Sequence, residues 1–201
     1  MIGIIDYGLG NVRAFANIYS DLGVPFTVAT APGDLDGISR AILPGVGAFD
    51  QAMMRLDQSG MKERLEELVT ERSMPVLGIC VGMQILAASS AEGVMPGFGW
   101  INAEVVGLEQ AVGQRRIPHM GWNDVRPLRT GGLFEGLPEP RFYFLHSYVM
   151  QCHRRQDVLA VTDYGGEFAC AVHRDNVYGV QFHPEKSHHD GIRLLRNFSG
   201  L

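Results

Sequence analysis

Met74-Pro-Val-Leu-Gly-Ile-Cys-Val-Gly-Met-Gln84 is the stretch on which the fold turns. Met74 to Ile79 is an apolar run of strand length, and Met83 to Ala88 is predicted as a helix. Cys80 therefore stands at a strand-to-helix turn, between Gly78 and Gly82. A sharp turn there brings backbone against backbone, which glycine tolerates and larger residues do not. Gly78-Ile-Cys-Val-Gly82 has the pattern of a nucleophile elbow with cysteine in place of serine. Such an elbow lifts the Cys80 sulfur above the sheet and leaves the N–H groups of Val81 and Gly82 free at the helix start. Those donors face negative charge, on sulfur or on a carbonyl oxygen under attack. A lone cysteine is more often a small buried hydrophobe, but the flanking glycines at this junction favour a nucleophile. Cys152 and Cys170 lack such a setting and read as structural.

Outward from that turn, the first half alternates strands with amphipathic segments. Ile2 to Ile5, Phe26 to Ala29 and Ala41 to Leu43 read as strands. Asn11 is a candidate N-cap for a helix to about Leu22, with Val12, Phe15, Tyr19 and Leu22 on one face. A helical stretch is clearest from Met61 to Arg72, with Leu65, Leu68 and Val69 inward. This alternation predicts an α/β fold with a mostly parallel central sheet flanked by helices. Ile101 to Val106, Phe142 to Val149, Val158 to Val161, Phe168 to Val172 and Val177 to Phe182 read as later strands. Their short connections predict an antiparallel or mixed extension of the same sheet. A last helix is expected from about His189 to Phe198, with Ile192 and Leu195 inward. The 201 residues suffice for one domain, and no linker divides 1–201.

The net charge of −5 comes without any basic cluster, so no nucleic-acid partner is expected. No apolar run approaches the roughly 20 residues of a membrane span. Three widely spaced cysteines make neither a disulfide framework nor a paired-cysteine zinc motif, and point to a reducing cytoplasm. The opening MIGIIDYG shows no signal-peptide pattern.

A partner for Cys80 stands about a hundred residues downstream, in Val180-Gln-Phe-His-Pro-Glu185. Proline favours extended backbone at His183, and residues two apart in an extended segment share a side. His183 and Glu185 can then meet, the carboxylate fixing the imidazole tautomer and steadying the imidazolium. Both motifs follow strands, at the sheet end where open α/β folds build their sites. A zinc site at His183, Glu185, His188 and His189 is the weaker alternative, because the group lacks the HExxH register. His188 and His189, like His153 and His173, read as solvated surface histidines. Neither a metal nor a cofactor is expected. The loop Pro44-Gly-Val-Gly47 follows a strand directly and can offer a second N–H to an oxyanion, from Gly45, Val46 or Gly47, beside that of Val81. Asp6-Tyr-Gly-Leu-Gly-Asn11 is glycine-rich too, but lacks the GxGxxG register and a P-loop lysine, and is not read as a nucleotide site.

With those residues in place, the chain resembles the triad class of glutamine amidotransferases. Within it, the chain is similar to the glutaminase subunits of imidazole glycerol phosphate synthases. Ile5 to Asn11, Pro44 to Phe49, Gly78 to Gln84, Pro118-His-Met-Gly-Trp-Asn123, Tyr143 to Tyr148 and Gly179 to Ser187 carry the likeness over almost the full length. Residues 107 to 116 match nothing distinctive, and Trp100 is an unexpected aromatic. The resemblance implies a Cys80–His183–Glu185 triad that hydrolyses glutamine through a thioester. It implies that Gln84 and Glu92 hold the substrate's polar groups and that the backbone of Ser147 and Tyr148 holds its carboxylate. It further implies a heterodimer with a (β/α)8-barrel cyclase that consumes the ammonia, docked against Pro118, His119, Met120, Trp122 and Asn123. Trp122 has core packing as its other reading. The rival functions are the same chemistry in anthranilate or guanine nucleotide synthesis, a stand-alone γ-glutamyl hydrolase, and a silent scaffold of this fold.

Overall fold

The computed structural model describes residues 1–113 and 116–201; residues 114 and 115, within the undistinctive stretch 107–116, lie outside the described residues. The first half runs β1 (Ile2–Ile5), α1 (Val12–Asp21), β2 (Phe26–Ala29), β3 (Arg40–Gly45), α2 (Phe49–Gln58), α3 (Met61–Thr70), β4 (Val76–Cys80) and α4 (Val81–Gln84). The second half runs β5 (Ser89–Ser90), β6 (Ala103–Gly107), α5 (Leu108–Val112), β7 (His119–Asp124), β8 (Arg126–Pro127), β9 (Arg141–His146), β10 (Tyr148–Cys152), β11 (Val158–Asp163), β12 (Glu167–Arg174), β13 (Val177–Val180) and α6 (His188–Gly200).

An eight-stranded sheet in the order β2-β1-β3-β4-β13-β12-β11-β8 forms the centre. Strands β2, β1, β3, β4 and β13 are mutually parallel, whereas β12, β11 and β8 pair antiparallel. The inner parallel strands β1, β3 and β4 are buried on both faces, so Ile2, Ile4, Ile42, Leu43, Val76 and Leu77 read as unbroken apolar runs, while β2 at the edge is partly exposed. Asn11 caps α1 through its side chain, which accepts from Ala14 N. Phe15 and Tyr19 of α1 and Leu65, Leu68 and Val69 of α3 are buried, as their spacing predicts.

Four details differ from the sequence expectation. The expected strand Phe142–Val149 is two strands broken at Ser147: β9 pairs with β7, and β10 pairs with β6. These pairs belong to two small separate sheets rather than to the extension of the main one. Strand β7 (His119–Asp124) is not among the strands expected from the sequence. The helix expected at Met83–Ala88 begins at Val81 and closes after one turn, because the chain returns at once toward β5 and β6. Ile192 of α6 is 41% exposed, and Leu194 takes the inward position beside Leu195 and Phe198.

The β4–α4 turn fixes the rest. Cys80 has φ 56° and ψ −114°, a conformation costly for a residue with a Cβ. It persists because the backbone around it is locked at near-contact distance. A Cβ on Gly78 would stand 2.4 Å from the Gly82 carbonyl oxygen, and one on Gly82 would stand 1.9 Å from the Leu43 carbonyl oxygen. Gly82→Ala should therefore destabilise the fold by about 3 kcal/mol, read as a lowered urea midpoint. Gly33→Ala, at a position with nothing within 4 Å, is the control. Equal midpoints for the two variants would contradict this account of the turn.

Candidate active site

The site lies past the carboxyl ends of β3, β4 and β13. Gly45 is the register partner of Cys80, and Val180 that of Ile79, so the loops leaving all three strands rise at one rim. The Cys80 thiol lies 3.8 Å from the Leu145 carbonyl oxygen, and the Gln181 amide nitrogen lies 3.8 Å from its sulfur.

His183 arrives three residues after β13. Its N–H donates to the Tyr143 carbonyl at 2.9 Å, and its own carbonyl accepts from the Ser187 hydroxyl at 2.6 Å. That hydroxyl also accepts from Tyr143 N at 3.0 Å, so β9 and the His183 segment are pinned together. His183 is extended, as the following proline predicts, but Pro184–Lys186 is a 3-10 turn. Glu185 reaches the imidazole through that turn, not through the expected extended alternation. Its Oε1 accepts from His183 Nδ1 at 2.9 Å, and both side chains are almost completely buried. The Nδ1–H bond leaves Nε2 as the ring nitrogen free toward the cleft that His183 shares with Cys80. Burial pulls the imidazole pKa down, but the neighbouring Cys80 and the Glu185 carboxylate outweigh it and raise the value to about 9. The imidazole is thus protonated at neutral pH, a cation held between a sulfur and a carboxylate.

A cleft of about 360 Å³ opens onto Cys80 and His183. Val46, Gly47, Val81, Gln84, Glu92, Ser147 and Tyr148 line it, together with His146 and Lys186. Gly45 and Glu185 are not in the cleft wall. Gly45 is buried beneath it, where a Cβ would meet Gly82 N at 2.5 Å; its role is close packing under the oxyanion loop. Gln84 donates its amide to the Tyr148 carbonyl and to Gln181 Oε1, each at 3.1 Å, leaving its own Oε1 for a ligand. Glu92 accepts from Phe49 N at 2.9 Å, and so caps α2 as well as facing the cleft. The Asp6–Asn11 turn is a buttress: the Tyr7 hydroxyl donates to the Pro44 carbonyl at 2.7 Å.

Of the expected docking residues, Pro118, Met120 and Trp122 are exposed and Asn123 is half-buried. Trp122 is not a core residue; it lies parallel to the exposed His188 ring at 5.3 Å. His119 requires a correction, because strand alternation turns it inward to 2% exposure, away from any docking surface. The structure adds Gln181, His146 and Lys186, which sequence reasoning passed over. Gln181 and His146 are polar residues in otherwise apolar strand ends, a pattern that signals a buried polar role; Lys186 simply follows Glu185.

Comparison with known proteins gives the family. Residues 3–199 match the model of the family "Glutamine amidotransferase class-I". The chain is 57% identical to the "Imidazole glycerol phosphate synthase subunit HisH" of Bdellovibrio bacteriovorus, over 100% of both chains. It is 50% identical to the protein of the same name from Leptospira interrogans, again over 100% of both. Among solved structures, one described as a crystal structure of glutamine amidotransferase superposes with a TM-score of 0.78 at 22% identity, covering 100% of this chain and 99% of that one. At that identity the likeness concerns the fold.

The nearness of Cys80 to the His183 ring has a measurable consequence. Cys80→Ala should lower the His183 pKa from about 9 by roughly 1–3 units, as followed by imidazole resonances in an NMR titration. A folded pKa above the ordinary 6.5 means that protonation favours the native state. The stability from His183 is full below pH 6.5 and is lost as pH rises through about 9. An unchanged titration in the alanine variant would contradict the contact.

Proposed function

Since this chain belongs to the class I glutamine amidotransferase family, we propose that it is the glutaminase subunit of an imidazole glycerol phosphate synthase, acting in histidine biosynthesis. The observation that carries this reading is that Cys80 and His183 line one cleft, with Glu185 bonded to the far nitrogen of the His183 ring. Full-length identity of 44–57% to subunits of that name favours this synthase over anthranilate or guanine nucleotide synthesis.

The Cys80 thiolate attacks the side-chain amide carbon of glutamine, forming a C–S bond and a tetrahedral oxyanion. Val81 N–H and an N–H of the Val46–Gly47 loop receive that oxyanion; one such donor is worth about 3–4 kcal/mol at the transition state. The His183 imidazolium gives its proton to the amide nitrogen, the C–N bond breaks and ammonia leaves. Neutral His183 then takes a proton from water, whose oxygen adds to the thioester carbon. The C–S bond breaks, releasing glutamate and the thiolate. Glu185 holds the ring in one tautomer throughout. Gln84 and Glu92 hold the polar groups of glutamine, and the Ser147–Tyr148 backbone its carboxylate.

A synthase subunit implies a partner subunit, and the partner chemistry is that of a (β/α)8-barrel cyclase that turns the ammonia into imidazole glycerol phosphate and an aminoimidazole carboxamide ribotide. The surface proposed for it is the exposed face of β7, with Met120 and Trp122 as apolar anchors. Among the described residues no helix is long and apolar enough to cross a membrane, and a cytoplasmic location fits the free cysteines.

Cys80→Ala should abolish glutamine hydrolysis, a loss of at least about 10⁴-fold, while the complex still makes product from supplied ammonia. Glutamine-dependent turnover retained in the variant would refute the nucleophile assignment. We infer that the loop carrying Gly47, at the glycine-favouring φ of +91°, is aligned by docking of the partner; the isolated subunit should then turn over at least about tenfold more slowly than the complex with its nucleotide bound. Equal rates, measured as glutamate release, would contradict it.

A further inference from the structure

At the Ser147–Tyr148 edge of the cleft stands a pair of histidines for which the mechanism above has no use; His146 lines the cleft and His119 lies outside its lining. His119 and His146 are buried on facing positions of β7 and β9. His146 Nδ1 stands 3.0 Å from the Tyr148 carbonyl oxygen, which can only accept, so Nδ1 carries the proton. Burial, followed by the neighbouring His119, pushes the His146 pKa down to about 3; burial pushes that of His119 down to about 4. Both rings are therefore neutral near pH 7, and each has one donor and one acceptor. His146 Nε2 must accept, so the 3.0 Å contact with His119 Nδ1 is a bond donated by His119. His119 Nε2 in turn accepts from the Asn123 amide at 3.3 Å, and the same amide nitrogen donates to the Asp163 carbonyl at 2.8 Å. One direction satisfies every member: Asn123 to His119 to His146 to Tyr148.

The chain ends on a backbone edge with little freedom. Leu108 N donates to the Ser147 carbonyl at 2.9 Å, while Tyr148 pairs with Gly107 across β10 and β6. In that register the N–H and C=O of Tyr148 both point away from β6. The C=O accepts from Gln84 and from His146, and two donors on one carbonyl fix the peptide plane. His119 is itself immobilised, its ring stacked on Phe144 at 4.6 Å and on Tyr164 at 4.1 Å.

Resting on the glutaminase reading, we propose that His119 and His146 are positioning residues for the substrate. Their one-way hydrogen-bond chain clamps the Tyr148 carbonyl and so aims the backbone edge that receives the α-carboxylate of glutamine. Neither ring touches the reacting atoms. The chain begins on β7, the strand whose opposite face carries Met120 and Trp122, so a shift of β7 reaches the carboxylate pocket through two imidazoles.

Two substitutions separate positioning from packing. His119→Asn places an amide nitrogen where Nδ1 was and keeps the bond to His146; His119→Gln places its amide at the Nε2 end and loses it. The readout is Cys80 labelling by two electrophiles on the full chain. A glutamine-like diazoketone carries the α-carboxylate, and iodoacetamide does not. The ratio of diazoketone to iodoacetamide rates should fall about tenfold in His119→Gln and stay within about twofold of wild type in His119→Asn. In steady state the same loss should appear in KM for glutamine and not in kcat. An unchanged ratio in both variants, or an equal fall in both, would overturn the proposal. Wild-type Cys80 that takes iodoacetamide but never the diazoketone would overturn the glutaminase reading, and the positioning role with it.

Discussion

Backbone packed against backbone around Cys80 is the constraint on which everything else depends. A side-chain-bearing residue at φ 56° and ψ −114° is strained, and strain survives only where the surroundings allow no relaxation. Gly45, Gly78 and Gly82 supply that rigidity by letting β3, β4 and the start of α4 approach closer than any Cβ permits. Three consequences follow from one turn. Cys80 opens onto the cleft at the sheet rim, Val81 at the start of α4 lines the same cleft, and the Val46–Gly47 loop leaving β3 lies alongside. Because β13 is the other parallel neighbour of β4, the same rim receives His183.

The polar residues so assembled are nearly all out of water and are held by partners, although Glu185 Oε2 is buried without one. His183 keeps a proton despite burial because Cys80 and the Glu185 carboxylate lie beside its ring. Gln84 and Gln181 bond to each other and hold the cleft's far wall to its floor. Buried polar networks of this kind are costly when incomplete and rigid when satisfied, which suits a site that must place one sulfur, one imidazole and one backbone edge around a single small substrate. The neutral histidine pair behind Tyr148 extends the same logic from the cleft toward the surface of β7.

The elbow was legible in the sequence because its chemistry is local: a cysteine between two glycines at the end of an apolar strand. The parallel half of the sheet was equally legible from alternating periodicities. The break at Ser147 was not, since Phe142 to Val149 is an uninterrupted β-prone run and only tertiary pairing divides it between two small sheets. The residue pair His183 and Glu185 was readable, but its geometry was misjudged. Proline after His183 starts a 3-10 turn here, and extended alternation fails one residue later. The resemblance puts His119 on the docking surface with the rest of Pro118–Asn123, whereas strand alternation, once β7 exists, sends His119 and Trp122 to opposite faces. Gln181, a polar residue among apolar neighbours, carried a signal that went unused because nothing local says what it will meet.

A covalent adduct on the sulfur tests the central claim most directly. The chain, in complex with its cyclase partner and turning over glutamine, is quenched in acid, digested and sequenced by mass spectrometry. A γ-glutamyl thioester on the peptide that contains Cys80, absent when glutamate replaces glutamine, is the predicted result. Turnover that leaves Cys80 unmodified at every quench time, or an adduct on Cys152 or Cys170 instead, would contradict the account.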